Sequence, residues 1–326
     1  MFPRMVNMTG RPAARRPSPK GTRMALAGAV AALAVAAAGC SSTATSASSA
    51  KTTVINVIGA ENEYADVLAQ IGGRYVHVSS ILNNPGTDPH TFESSPSVAQ
   101  EVTSAQLIVQ NGVGYDTFMN KIESAAPSAQ RKVIVAQHVL GLPDSTPNPH
   151  LWYDPKTMPA VAKAIAADLS ALQPAHQAYF QASLKTFDES LAPWLSAIAQ
   201  FKATYPAAPV ATTEPVSDYL LQAMGIDNLT PFRFQAALMN GVDPSPQDIA
   251  LQNSFFTQHK AKAFIYNQQV VSSITASIRQ TALKAGVPVV GVYETMPPGY
   301  RYQSWMIAEV HAIQKAVASK ISTEKL

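Results

Sequence analysis

The stretch "TTVINVIGAENEYADVLAQIGGRYVHVSSIL" at residues 52–82 decides the fold class. It opens with a β-branched run, continues with apolar residues at helical spacing, stops at Gly72-Gly73 and returns to a second β-branched run. β-branched runs favour strands, whereas apolar residues three and four positions apart indicate a helix. A strand, a helix and another strand in this order are typical of parallel strands joined by a crossover helix. The sequence therefore predicts an α/β lobe.

A second α/β lobe is predicted in the C-terminal part of the chain. The runs "APVATTEP" (208–215), "AKAFIYN" (261–267) and "VPVVGVYE" (287–294) have the composition of strands. Segments with helical spacing separate them, and "QSWMIAEVHAIQKAVASKI" (303–321) predicts a closing helix. We therefore expect two lobes, each built on a small parallel sheet flanked by helices.

The segment between the lobes carries an apolar stripe with alternating spacings of four and three. Such a stripe predicts one long helix, which we expect to pack across both lobes and join them. Pro193 lies inside the stripe and is expected to kink or interrupt the helix. A coiled coil would need a second heptad segment, which the sequence does not contain. The stripe consists of Phe180, Leu184, Phe187, Leu191, Trp194, Ile198 and Phe201.

The N-terminus has the features of an export signal. A basic leader without acidic residues precedes the apolar run "MALAGAVAALAVAAAGC" (24–40), which is short for a membrane span. Cys40 is the one cysteine of the chain, so it cannot form an internal disulfide. General secretion is favoured over twin-arginine export, because the Pro-Ser-Pro that follows Arg15-Arg16 fits the latter poorly. The Ser, Thr and Ala residues that come next indicate a flexible tether.

Removal of the leader changes the charge balance. The whole chain has 24 Lys and Arg against 21 Asp and Glu, and six of the cations precede Cys40. The mature part therefore carries 18 cations against 21 acids, which gives no indication of nucleic-acid binding. Its length suits two medium-sized domains. The predicted organisation is a signal peptide (1–39), a tether (40–52), an N-terminal lobe (53–156), linking helices (157–204) and a C-terminal lobe (205–326).

Two histidines follow prolines in loops that come after predicted strands. His90 lies in "DPHTFE" after "VHVSSIL", and His150 lies in "PNPHLWYDP" after "KVIVAQ". Glu214 and Glu294 end predicted strands of the second lobe. Open α/β sheets bind ligands at the carboxyl ends of their strands, so these four side chains are expected to converge between the lobes. Two imidazoles and two carboxylates suit a divalent metal, namely zinc, manganese or ferrous iron.

Together with the "AAGC" ending of the leader and the linking helix, the two histidine motifs resemble the metal-binding lipoproteins of zinc and manganese ABC importers. The resemblance spans nearly all of the mature chain and is most specific at the two histidine motifs. It implies that His90 and His150 bind the metal and that Glu214 supplies the third ligand. Glu294 then stands at the position of the fourth ligand, where an aspartate is usual. The resemblance also implies lipidation of Cys40.

The resemblance further implies what the protein does. We expect an extracytoplasmic, lipid-anchored monomer that captures one Zn²⁺ or Mn²⁺ ion per chain and delivers it to the permease of an ABC transporter. Zinc is narrowly favoured, because N and O ligands bind zinc more tightly than manganese in the Irving–Williams order. A site with two carboxylates, one of them a glutamate as the third ligand, argues for manganese. Both metals therefore remain open at this point.

A secreted zinc metallohydrolase is the alternative function. Two histidines and a glutamate can hold catalytic zinc, but catalysis needs an open coordination position and a base. Four protein ligands would leave no such position on zinc, and the sequence contains no HExxH or nucleophile-elbow motif. Glu61 and Glu63 are expected to line the cleft without ligating, and His138 is the next histidine that could ligate. The sequence therefore predicts a binding protein rather than an enzyme.

Overall fold

A four-stranded parallel sheet forms in the first half of the computed structural model, which describes residues 54–86, 92–93 and 95–326. The strand order is β2-β1-β3-β4. Ile55 of the first strand pairs with Val76 on one side, and Val57 pairs with Leu107 on the other. The strands that the sequence predicts for this half, with "QLIVQNG" (106–112) as the third, are confirmed. They are β1 (Ile55–Glu61), β2 (Val76–Leu82), β3 (Leu107–Gln110) and β4 (Lys132–Val135).

A second four-stranded parallel sheet repeats this arrangement in the second half, with the strand order β6-β5-β7-β8. Its strands are β5 (Pro209–Thr212), β6 (Asp227–Asn228), β7 (Ala263–Asn267) and β8 (Val289–Val292). The three longer strands are those that the sequence predicts. Strand β6 has two residues and was not predicted, because so short a segment carries no hydrophobic pattern. The α/β fold with two parallel sheets is therefore as expected.

Helices cover both sheets, and several begin where the sequence places a cap. The Ser95 side chain accepts a hydrogen bond from the backbone N–H of Val98, and Ser245 does the same for Asp248. The first-half helices are α1 (Asn62–Gly72), α2 (Pro96–Ser104), α3 (Thr117–Ala125), α4 (Ala136–Val139) and α5 (Thr157–Leu172).

The linking segment is helical as predicted, and it has the interruption that was expected near Pro193. Two helices, α6 (Gln177–Ser190) and α7 (Ala192–Thr204), meet at Leu191. Pro193 lacks an N–H for the hydrogen bond to the carbonyl of Glu189, and its ring would clash with that carbonyl in a continuous helix. The apolar stripe is nevertheless buried as predicted, since Phe180, Phe187, Trp194 and Phe201 are at most 2% exposed.

Five further helices complete the second half. They are α8 (Asp218–Ala223), α9 (Phe232–Met239), α10 (Pro246–Thr257), α11 (Ser273–Lys284) and α12 (Tyr302–Ser319). The closing helix α12 packs against α7 and against strands β7 and β8, and it also contacts α1. It therefore connects the second sheet to the linking helices and to the first half. None of the described helices is both long enough and apolar enough to cross a membrane.

One cluster of buried apolar side chains extends from the first sheet to the second. It includes Val57 of β1, Trp152, Trp194 of α7 and Val292 of β8. A smaller cluster lies under α10 and α11 around Phe256 and Phe264. Residues 54–86, 92–93 and 95–326 belong to one compact unit, and the predicted domain boundaries after residues 156 and 204 stay predictions. The predicted signal peptide, Cys40 and the tether lie outside the described residues.

Candidate metal centre

Polar side chains from both sheets meet where the strands end. Glu214 follows β5 and Glu294 follows β8, each two residues beyond the strand rather than at its last residue. Asn267 is the last residue of β7. His150 precedes a 3₁₀ turn (Leu151–Tyr153) in the loop after β4 and α4. All four side chains are at most 2% exposed, so they form a buried polar site between the sheets.

His150 and Glu294 are in direct contact across the two sheets. The imidazole Nε2 lies 3.3 Å from Glu294 Oε2, and both side chains are 0% exposed. The other ring nitrogen, Nδ1, lies 2.7 Å from Asn148 Oδ1. The Asn148 amide is oriented by its Nδ2, which donates to the carbonyl of Pro215 at 2.8 Å. Oδ1 therefore accepts the Nδ1 proton of His150, and Nε2 is the nitrogen directed at the carboxylate.

The loop that carries His150 is attached to the segment that carries Glu214. Pro215, whose carbonyl accepts from Asn148, directly follows Glu214. The hydroxyl of Tyr219 on α8 donates to the backbone carbonyl of Asn148 at 2.9 Å. These two bonds hold the histidine loop of the first half against the first strand-to-helix connection of the second half. The relative position of His150 and Glu214 is therefore fixed by backbone contacts as well as by side chains.

A single amide connects the two carboxylates. Asn267 Nδ2 donates to Glu214 Oε2 at 2.8 Å and to Glu294 Oε1 at 2.7 Å. Gln269 Oε1 accepts from the backbone N–H of Glu294 at 2.7 Å and from that of Thr295 at 2.8 Å. The backbone after β8 is thereby held in place, and the carboxylate of Glu294 with it. Two buried carboxyl groups are thus kept close together by amide donors.

Tyr115 adds a donor to the same carboxylate. Its hydroxyl donates to Glu294 Oε2 at 3.0 Å. Burial, and secondarily the charge of Glu294, raise the pKa of Tyr115 well above its ordinary value, so the hydroxyl keeps its proton. The loop that carries Tyr115 has an unusual backbone, because Val113 lies in the left-handed region at φ 55°. The Val113 N–H donates to Gln137 Oε1 at 2.7 Å, which holds this loop to α4.

Two further carboxyl groups are buried next to this site. Glu61 ends β1 and Glu63 lies in the first turn of α1, and their side chains are 1% and 0% exposed. Their carboxyl oxygens have no hydrogen-bond partner within the described chain. Burial raises the pKa of both groups well above the ordinary value, with Asp116 adding to the rise at Glu61 and Glu294 adding to it at Glu63. Burial therefore favours the neutral, protonated form of both groups over the charged form.

Comparison with known proteins identifies the family. Residues 57–316 match the sequence model of the family described as ZnuA, zinc-uptake complex component A, periplasmic. The chain belongs to this family. Zinc-binding protein TroA of Treponema pallidum is 22% identical over 247 residues, which cover 72% of this chain and 76% of TroA. Manganese-binding lipoprotein MntA of Bacillus subtilis is 25% identical over 143 residues, which cover 42% of this chain and 46% of MntA.

Solved structures of the same type share the fold. The periplasmic zinc-binding protein TroA superposes with a TM-score of 0.69 at 20% identity, over 82% of this chain and 99% of that one. FpvC of Pseudomonas aeruginosa, solved in complex with Mn²⁺, gives a TM-score of 0.68 at 19% identity, over 82% and 99% of the two chains. The two-sheet architecture described above is therefore the architecture of this family.

The structure of this ZnuA-family chain brings together three of the four residues that the sequence selects, His150, Glu214 and Glu294. His90 lies outside the described residues. Within residues 54–86, 92–93 and 95–326, no three His, Cys, Asp or Glu side chains form a group that could hold a metal ion. The three described candidates lie close together without forming such a group, and their role as ligands stays a prediction. His138, the alternative ligand, is exposed on α4.

Sequence reasoning missed the amides of this site. Asn267 ends a predicted strand, as the selected glutamates were expected to do, but an amide in that place is not a typical metal ligand. Asn148 lies inside the histidine motif, two residues before His150. Both could have been found by asking which polar residues support the ligands rather than which residues ligate.

Proposed function

We propose that the protein captures one divalent transition metal ion, zinc or manganese, outside the cytoplasmic membrane and delivers it to the permease of an ABC transporter. The observation that carries this proposal is the buried contact between His150 Nε2 and Glu294 Oε2, with Glu214 held beside it through Asn267. The proposed ligands are His90, His150, Glu214 and Glu294. The ion is the cargo of the protein.

The chemistry of the described donors fits such a cargo. Imidazole nitrogen and carboxylate oxygen are common donors for zinc and are also used by manganese and ferrous iron. Burying carboxylates is costly unless a cation or several donors offset their charge. A divalent ion at this position would supply that charge. Asn148 holds His150 with Nε2 towards the carboxylate, which is the orientation that a metal-binding imidazole requires.

Binding and delivery are favoured over hydrolysis by the family and by the names of its relatives. TroA is described as zinc-binding and MntA as a manganese-binding lipoprotein. We therefore propose that Cys40 is the lipidated N-terminus of the mature protein and that the following Ser/Thr/Ala tract is a tether at the membrane surface. A site that binds and delivers a metal ion requires neither an open coordination position nor a catalytic base.

Thermal unfolding in the presence of metal tests the proposal. Binding to the native state alone adds about 4 kcal/mol at a ligand concentration a thousandfold above Kd. For a protein of this size, such a gain raises the unfolding midpoint on the order of 10 °C. Metal analysis of the purified protein should give one ion per chain. A parallel assay with ester and peptide substrates separates binding from hydrolysis.

Single substitutions identify the ligands. His90→Ala, His150→Ala, Glu214→Gln and Glu294→Gln should each lose most of the metal-dependent rise in the midpoint. His311→Ala is the matched control, because His311 is exposed on α12, and it should keep the full rise. Glu294→Gln is the most informative variant, since the family usually has an aspartate there. A wild-type protein that shows no rise with Zn²⁺ or Mn²⁺, or a Glu294→Gln variant that keeps it, would contradict the proposed site.

A further inference from the structure

Asn267 lies between the two carboxylates because of the strand order of the second sheet. Strand β7 is flanked by β5 on one side and β8 on the other. Glu214 follows β5, Glu294 follows β8, and Asn267 ends the strand between them. Its side chain is 1% exposed, and its one amide nitrogen reaches a carboxylate on each side, at 2.8 Å and 2.7 Å. Both hydrogens of the amide are thereby used.

The orientation of this amide is fixed by two more bonds. Asn267 Oδ1 accepts from the backbone N–H of Gln269 at 3.0 Å. The backbone N–H of Asn267 donates to Thr213 Oγ1 at 2.9 Å. Rotating the amide by half a turn would break the bond to Gln269 and direct Oδ1 at two carboxylates. The amide nitrogen of Asn267, Nδ2, is therefore held towards Glu214 and Glu294.

Each carboxylate is constrained by this arrangement. The amide engages Oε2 of Glu214 and Oε1 of Glu294. In Glu294 the other oxygen, Oε2, is the one near His150 Nε2 at 3.3 Å and near the Tyr115 hydroxyl at 3.0 Å. The two oxygens of Glu294 thus have different roles, one towards the amide and one towards the imidazole. A carboxylate held in this way presents one oxygen to the site, because turning the second oxygen inwards would break its bond to Asn267.

We propose that Asn267 determines the metal selectivity of the site, an inference that rests on the proposed function. By holding Glu214 and Glu294 so that each offers one oxygen, it limits the contribution of the two carboxylates to two oxygens. Zinc in proteins typically takes four ligands, whereas manganese suits oxygen-rich sites with more ligands. A carboxylate that could turn both oxygens to the ion would favour manganese. Asn267 therefore favours zinc as the cargo, and it is a positioning residue.

Asn267→Ala tests this inference when the affinities for Zn²⁺ and Mn²⁺ are measured separately by competition with a chelating indicator. Loss of a residue that orients metal ligands typically costs 10- to 100-fold in affinity. We expect a zinc affinity about 10- to 100-fold lower and a smaller change for manganese, so that the preference for zinc falls about tenfold or more. Visible absorption of bound Co²⁺ gives an independent readout. It should be intense in the wild type, as in four-coordinate sites, and weaker in Asn267→Ala.

Asn228→Ala is the matched control. Asn228 lies on the edge strand β6 of the same sheet, and its amide donates to Thr212 Oγ1 at 3.3 Å and Asp218 Oδ1 at 3.0 Å. It should lower stability without changing the ratio of the two affinities or the Co²⁺ spectrum. If Asn267→Ala weakened both metals by the same factor, with an unchanged Co²⁺ spectrum, the selectivity role would be wrong while metal binding would stand. If the wild type bound neither metal, the proposed function itself would fail.

Discussion

Glu309 on α12 provides a quantitative test of how this fold tolerates buried carboxyl groups. Its side chain is 0% exposed, and its Oε1 accepts from Trp305 Nε1 at 3.0 Å and from the Tyr153 hydroxyl at 3.2 Å. The other oxygen has no hydrogen-bond partner within the described residues. Burial raises the pKa of Glu309 from 4.5 to about 8, although the two hydrogen bonds oppose this rise. The carboxyl group is therefore protonated at neutral pH.

The sign of the pH effect follows from this shift. Between pH 4.5 and about 8 the native state binds one proton at Glu309 and the unfolded state binds none. The free energy of unfolding therefore falls as pH rises through this window, by about 1.4 kcal/mol per pH unit. The stabilisation is fully present below pH 4.5 and is lost once the pH exceeds about 8. Between pH 5.5 and 7.5, two assay conditions within that window, the loss at Glu309 is about 2.5 kcal/mol.

Glu309→Gln should remove this pH dependence, because an amide of the same shape keeps the Oε1 acceptor and does not ionise. At pH 5.5 the free energies of unfolding of variant and wild type should agree within about 1 kcal/mol. At pH 7.5 the variant should have gained about 2.5 kcal/mol relative to the wild type. In thermal unfolding this corresponds to roughly 5 to 10 °C.

Urea unfolding of the metal-free protein, followed by circular dichroism at several pH values, measures the effect. Other buried carboxyl groups titrate in both proteins, so the difference between variant and wild type isolates Glu309. Glu189→Gln is the matched control, since the Glu189 side chain is 67% exposed on α6, and it should leave the pH dependence unchanged. A difference between Glu309→Gln and wild type that did not vary with pH would refute the assignment of a neutral buried carboxyl at this position.

Three further predictions concern the loops and the N-terminus. Val113→Gly should raise the free energy of unfolding by roughly 1 kcal/mol, because a β-branched residue at φ 55° is strained. Val133→Gly on strand β4 is the control, and it should lower the free energy of unfolding in the same urea assay. Metal affinity, measured by titration, should fall as pH falls through about 6 to 7, since protons compete for His90 and His150; an affinity independent of pH would exclude a two-histidine site. Cys40→Ala should release the protein from the membrane fraction, and continued membrane attachment with unchanged processing would contradict lipidation.

The strands were predictable because each is a short apolar or β-branched run bounded by polar residues. The parallel arrangement followed from their alternation with helices. The sequence did not predict β6 or α9, because a two-residue strand has no periodicity and α9 is a short helix of eight residues that begins directly after Pro231. The break at Leu191 was expected from Pro193, although the apolar stripe continues across it.

For the site, sequence reasoning selected residues by their place at strand ends. The structure places Glu214, Glu294 and His150 close together between the sheets, and their role as ligands stays a prediction. It could not give the contacts that decide which oxygen of Glu294 faces His150, because those contacts depend on Asn267 and Gln269 from the neighbouring strand. Supporting amides carry no charge and no motif of their own, so only the three-dimensional arrangement identifies them.

The apolar cluster shared by the two sheets has a consequence for the rate of cargo release. Separating the sheets by a hinge motion would expose side chains such as Trp152, Trp194 and Val292 to water, at about 25 cal/mol for each Å² of apolar surface. Wide opening is therefore costly, and we expect a bound ion to leave through local rearrangement of the loops at the strand ends. Residence time and global stability are then set by different parts of the chain. A substitution in the core can change the stability of the protein against unfolding without changing the residence time of its ion.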